Sequence, residues 1–306
     1  MAIWIIGTYI HDEFETFPYL FFNAMRGSGK SRMLRLIAEL SHNGELLGSM
    51  SEAALFRTAK GRTLCIDEFE KVGSQEKQGL RELLNAAYKK GSKIKRMKKM
   101  KEGYEVEEFE VYSSIVMANI WGMEEVLSDR CITIIIEKSG RPEITKLIEN
   151  FSNDSQIKKI KNDINDVVCS LCSIISIRKI EKEWNSYILD KYYTTLHTYT
   201  TQTTLDIHTT LNQDKISLFN KMDDAGIDGR NLELSFPIFM IANLLNSFDP
   251  ILKTLKDIMI EKKLEDITES KDVQVFDFVS RQELLKNYVS MIKLTNQFRD
   301  FLGLEG

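Results

Sequence analysis

The sequence predicts an α/β domain with a mostly parallel sheet of five strands, followed by a mainly helical domain. Three observations predict it. The first 140 residues alternate short apolar runs, rich in β-branched and aromatic residues, with amphipathic ones. A glycine loop joins the first apolar run to a helical one. From Pro142 onward helical periodicity takes over.

In chain order, Pro18–Phe22 reads as a buried strand, and Ser31–Leu40 after the glycine loop as an amphipathic helix. Leu46-Leu47 is a weak strand, and Ser51–Arg57 a helix with Ser51 as its cap. Thr63–Ile66, Ser114–Ala118 and Cys131–Ile136 supply three further core strands. Before the fourth strand sits a hairpin, about residues 93–111, with arms Lys93–Met100 and Tyr104–Val111 and the turn Lys101-Glu102-Gly103. Helical spacing runs to about Leu189 and again from Gln213 to Leu302. A segment with nine threonines in seventeen residues, 194–210, separates the two and is left open between strand, linker and loop. The partition is residues 1–140 and 141–306.

Composition narrows the class. The 306 residues carry a net charge of −4, which excludes a globally basic nucleic-acid coat. The opening Met1-Ala2-Ile3-Trp4 has no basic n-region, no run is apolar enough to span a membrane, and four cysteines do not make a disulfide framework. These set the expectation of a cytoplasmic protein without membrane attachment. One local extreme stands out: eight of the thirteen residues from Lys89 to Lys101 are Lys or Arg, and four glutamates follow between Glu105 and Glu110.

The glycine loop carries the chemistry. Ala24-Met-Arg26-Gly27-Ser28-Gly29-Lys30-Ser31 matches the P-loop pattern, with Ala in place of the first Gly. Such a loop turns its N–H groups inward around phosphates, and the helix that follows adds its N-terminal dipole. Lys30 is expected to reach the β- and γ-phosphates of ATP, and Ser31 to ligate Mg²⁺. A hydrophobic strand ending in Asp67-Glu68 supplies a carboxylate for the metal, Asp67, and a general base for water, Glu68. Asn119, ending the strand Ile115–Asn119, suits a sensor that orients the water. Arg130, just before the fifth strand, suits an arginine finger acting on the next subunit, and Arg141 is the fallback candidate for a nucleotide-sensing arginine. Cys169-x-x-Cys172 has no second pair and no nearby His, so it reads as core packing rather than zinc. His11, His42, His197 and His208 share no metal-like spacing and read as surface or loop residues.

In this order the motifs resemble the AAA+ class of ATPases, including superfamily III and minichromosome-maintenance helicases. The closer resemblance is to the ATPase domain of primase–helicase and replication proteins of phages, plasmids and integrated elements. It rests on Trp4-Ile-Ile-Gly-Thr-Tyr9, Ala53–Arg57, Leu84–Gly91, Leu127–Ile132 and Leu234–Ala242, and covers most of residues 3–140. The resemblance implies ATP hydrolysis with Mg²⁺, a homo-oligomeric ring such as a hexamer, and work on single- or double-stranded DNA. It also implies a primase or other replication protein as partner, with this chain either part of a primase–helicase or a motor on its own. In such a ring the hairpin would enter the channel, with Lys93, Lys95, Arg96, Lys98, Lys99 and Lys101 along the nucleic-acid backbone. The competing reading of the hairpin is a solvated pair of oppositely charged arms. The function expected is a helicase-type motor. The alternatives are an ATP-driven loader of a replication complex and a nucleotide-stabilised DNA-binding scaffold.

Overall fold

Five strands form one parallel sheet in the computed structural model, which describes residues 1–47, 52–67, 78–101, 103–119, 123, 125–146, 151–172, 177–196, 213–269, 275, 278 and 291–301. They are β1 (Tyr19–Ala24), β2 (Gly44–Leu47), β3 (Thr63–Ile66), β6 (Ser114–Asn119) and β7 (Cys131–Ile136). Their order across the sheet is β2-β3-β6-β1-β7. The parallel alternation expected from the sequence is what the fold contains. The hairpin forms a separate two-stranded antiparallel sheet, β4 (Lys93–Lys99) and β5 (Tyr104–Glu110).

Parallel strands need both faces covered, because their crossovers lay helices on each side. On one face Tyr19, Phe21, Leu64, Ile66, Ile115 and Met117 share a buried cluster with helices α3 (Glu52–Thr58) and α4 (Gln78–Ala86) and with the base of the hairpin. The alternate residues Leu20, Phe22, Cys65, Val116 and Ala118 are also buried and point to the other face. There α2 (Lys30–Leu40), with Leu34 and Ile37 fully buried, packs on β2, β3 and β6. The Ser51 cap expected for α3 lies outside the described residues.

The first helix, α1 (Ala2–Thr8), gives the Trp4–Tyr9 motif a structural role. The Trp4 indole Nε1 donates to the Pro18 carbonyl at 2.8 Å, just ahead of β1. A Cβ on Gly7 would lie 2.8 Å from the Phe17 ring and 2.9 Å from Ile241 Cδ1, so the helix approaches its neighbours only because position 7 lacks a side chain. Ile241 belongs to α10 (Gly229–Leu244), which packs on α1.

The chain divides into two compact units, Met1–Leu255 and Lys256–Gly306. The change from alternating to helical sequence at Pro142 therefore falls inside the first unit. There α7 (Ser155–Cys172) packs on α2. Trp184 of α8 (Ile177–Leu196) meets Phe219 of α9 (Gln213–Asp224) and Phe236 of α10, at ring-centroid distances of 5.3 and 6.3 Å. In the second unit Phe278 contacts Phe298 and Phe301 at 5.2 and 5.5 Å, the latter two on the helix Met291–Phe301. Thr194 and Thr195 lie in the last turn of α8, which ends at Leu196, and residues 197–212 lie outside the described set. Among the described residues no helix is long and apolar enough to cross a membrane.

Two expectations are corrected. Cys169 is exposed rather than packed in a core, because Val168 is the residue of that turn that faces inward. His11 is buried rather than superficial, enclosed by Phe17 and by Tyr112 from a distant part of the chain.

Candidate functional site

Because the five strands are parallel, their C-terminal ends share one edge, and β1, β3 and β6 each deliver a polar group there. β1 ends at Ala24, which is buried and ladder-paired with Ile136. The five residues 25–29 then turn back into α2. Gly27 and Gly29 adopt φ of 74° and 91°, a left-handed backbone that residues with side chains rarely take. Gly29 is the N-cap of α2 and brings no side-chain cap, so the first N–H groups of the helix have no capping side chain. A Cβ at Gly29 would meet no atom within 4 Å, which leaves the space above the loop open. The Ser28 hydroxyl oxygen is buried without a hydrogen-bond partner among the described residues, and Arg26 is exposed.

Lys30 and Ser31 open α2 and turn toward the end of β3. The Ser31 hydroxyl donates to Asp67 Oδ2 at 2.6 Å, and Lys30 Nζ lies 3.5 Å from Asp67 Oδ1. Asp67 follows Ile66, and Ile66 pairs with Met117 two residues before Asn119. Asn119 pairs with Asn23 and is 4% exposed. It sits on the strand between those carrying the loop and Asp67. Glu68 lies outside the described residues.

The site therefore brings together Ala24, Arg26, Gly27, Ser28, Gly29, Lys30, Ser31, Asp67 and Asn119. Its donor set fits a hard divalent cation carried on a phosphate chain. One hydroxyl and one carboxylate converge, few enough that the remaining positions belong to phosphate and water, as Mg²⁺ prefers. Among the described residues no group of three or more His, Cys, Asp or Glu side chains forms an all-protein cage.

Arg130 does not join this edge. It precedes β7, where Cys131 pairs with Tyr19, and its carbonyl accepts from Tyr19 N–H at 2.9 Å. The glycine loop leaves the other end of β1, about 17 Å away at 3.3 Å per residue. The Arg130 guanidinium lies 5.1 Å from the Tyr88 ring centre and donates to the Val126 carbonyl, while its Nε is buried without a hydrogen-bond partner among the described residues. Arg230 stands 5.0 Å from the same ring. Arg141, in contrast, follows the C-terminal end of β7 and is exposed.

The hairpin is fixed at its base and free at its tip. Ile94 and Phe109 face each other and are buried in the core cluster. Arg96 lies over the Phe56 ring at 4.7 Å and pairs with Glu82; Arg57 pairs with Glu107 at 2.9 Å. Lys93 and Lys95 share Glu108 at 3.0 and 2.8 Å. Hydrogen bonds from Lys95 and then Lys93 hold the Glu108 carboxyl at about 2. Glu110 is taken by Lys60. Among the described residues no carboxylate pairs with Lys98, Lys99 or Lys101, and all three are exposed. The cross-strand charge pairing expected for the hairpin is thus confined to its base. Met97, Met100, Tyr104 and Val106 are exposed beside those lysines.

One group missed by sequence reasoning is Lys138, whose ammonium stands against the glycine loop. Its signal was the end of β7, which register with β1 carries to the same edge. No protein-family model and no curated protein matches the chain.

Proposed function

We propose that the chain is an ATP-hydrolysing, ring-forming motor of the AAA+ type that acts on DNA as a helicase. The observation that carries the reading is the convergence of Lys30, Ser31 and Asp67 at one sheet edge, with Asn119 on the strand between. A left-handed glycine loop leading into an uncapped helix N-terminus is the arrangement that takes a phosphate chain. Lys30 binds the β- and γ-phosphates as a point charge, releasing its hold on Asp67. Ser31 and Asp67 hold Mg²⁺, which when bound neutralises charge developing on the phosphates. Glu68 takes the proton of the attacking water, and Asn119 orients that water from its buried place at the end of β6. Arg130, remote from its own subunit's loop, serves the nucleotide of a neighbour, which requires an assembly. The lysines at the hairpin tip grip the nucleic-acid backbone.

The test is nucleotide binding and phosphate release with and without single-stranded DNA. Lys30→Ala is expected to lose nucleotide binding. Glu68→Gln is expected to keep it while hydrolysis falls about 10²–10⁴-fold, the usual contribution of a positioned base. Wild-type turnover by Glu68→Gln would overturn the assignment. A duplex-unwinding assay separates the helicase reading from that of a loader.

A further inference from the structure

The glycine loop has a second cation beside it. The last ladder pair between β1 and β7 is Ala24 with Ile136. The chain leaving β7, Glu137 and Lys138, therefore runs alongside the chain leaving β1, Met25 to Gly27. A Cβ on Gly27 would lie 4.0 Å from Lys138 Cε and 4.0 Å from its Nζ, so the ammonium itself reaches the loop. Lys138 is exposed and has no carboxylate partner among the described residues. The described charges at this edge are Arg26, Lys30, Lys138 and Arg141 against Asp67 and Glu137, and Asp67 is already engaged by Lys30 and Ser31. Among the described residues, cations outnumber carboxylates at this edge.

We infer that Lys138 is a nucleotide-binding residue whose ammonium contacts the phosphate chain of the bound nucleoside triphosphate from the β7 flank. The inference rests on reading the glycine loop as a phosphate cradle. The flank decides what kind of contribution follows. Asp67 and Asn119 lie on β3 and β6, to one side of β1, and Lys138 lies on β7, to the other. The groups of the chemical step stand on the Asp67 side. A contact on the far flank is made equally in the ground state and the transition state, so it raises affinity without raising turnover.

The experiment titrates the 306-residue chain with a fluorescent ATP analogue, N-methylanthraniloyl-ATP, and measures steady-state hydrolysis of ATP. Lys138→Ala is expected to weaken binding and raise KM about tenfold, the size of one charge-assisted hydrogen bond, with kcat unchanged. Lys138→Arg, which keeps the charge, is expected to restore most of the affinity. Lys159→Ala, an exposed lysine on α7, is the control and is expected to bind as the wild type does. Lys30→Ala in the same titration separates the role of Lys138 from that of the cradle. If Lys30→Ala loses binding while Lys138→Ala binds normally, the role of Lys138 is wrong and the cradle stands. If Lys30→Ala binds normally, the cradle reading fails and takes this inference with it. A fall in kcat at unchanged KM for Lys138→Ala would also overturn it. Because the side chain is exposed, thermal unfolding should show each Lys138 variant folded.

Discussion

The imidazole of His11 packs against Tyr112 and Phe17, and its Nδ1 lies 3.0 Å from the Thr8 carbonyl. A carbonyl only accepts, so Nδ1 carries the proton and Nε2 is bare, without a hydrogen-bond partner among the described residues and 3.6 Å from Asp12 Oδ1. Burial lowers the pKa of His11 below the ordinary imidazole value. Asp12 and the Thr8 carbonyl oppose the shift, and His42 and Lys90 add to it. With the folded value below the unfolded one, the unfolded chain takes up the proton first. Stability is then whole above the unfolded value, near 6.5, and is lost as pH falls below it. Thermal midpoints measured from pH 8 to pH 5.5 are expected to fall more steeply for the wild type than for His11→Gln. Parallel profiles would remove His11 as the cause. Nothing in Tyr9-Ile-His-Asp12 announces this burial. It comes from Tyr112, whose hydroxyl donates to the His11 and Phe14 carbonyls across the fold.

At the level of elements, the hairpin separates anchoring from display. The residues that fasten it, Ile94, Phe109, Arg96 and the glutamates taken by Arg57 and Lys60, all lie toward its base or along its length. Around the turn, Lys98, Lys99 and Lys101 have no carboxylate partner among the described residues. Replacing these three lysines by Ala is therefore expected to weaken single-stranded DNA binding and to flatten its salt dependence. The slope should fall by roughly 0.7 for each phosphate no longer neutralised. Basal hydrolysis should persist, since no residue of the loop edge is touched. The same triple change at Lys158, Lys159 and Lys161 of α7 should do little, and equal effects of the two triples would leave only a solvated hairpin. The hairpin and the core strands were legible because alternation and β-branching act locally. Helix α4 was readable from Leu80, Leu83 and Leu84, a helical spacing that a reading by motifs passes over. Helix α1 was not. Ala2–Thr8 is nearly all apolar, without the spacing of a surface helix, and its close packing depends on Gly7 fitting between Phe17 and Ile241. At the loop edge the motif residues came straight from pattern, whereas Lys138 required the β1–β7 register.

For the molecule as a whole, the two edges of the sheet divide the proposed work. The C-terminal edge holds Lys30, Ser31, Asp67 and Asn119, and the N-terminal end of β7 holds Arg130. The strand length between them, about 17 Å, separates Arg130 from the glycine loop of its own chain. Its guanidinium is held by the Tyr88 ring and the Val126 carbonyl, a fixed side chain rather than one free to search. In the proposed assembly, such a fixed cation would act on the loop edge of another copy. Arg130→Ala is therefore expected to bind ATP nearly as the wild type does and to lose hydrolysis, by about 10³-fold or more if the arginine stabilises the transition state alone. Mixing decides whether it acts between subunits. Lys30→Ala protomers lack a working loop but carry an intact Arg130, and Arg130→Ala protomers have the reverse. Each mutant alone should be inactive. In mixed assemblies, every interface that places a sound loop against a sound arginine should turn over, so activity should rise with the fraction of such interfaces and follow the mixing ratio. Native mass measured on the same samples establishes that mixed assemblies formed. Mixed assemblies that stay inactive would remove Arg130 as the acting arginine and leave Arg141, at the loop edge of its own subunit, as the residue to change next.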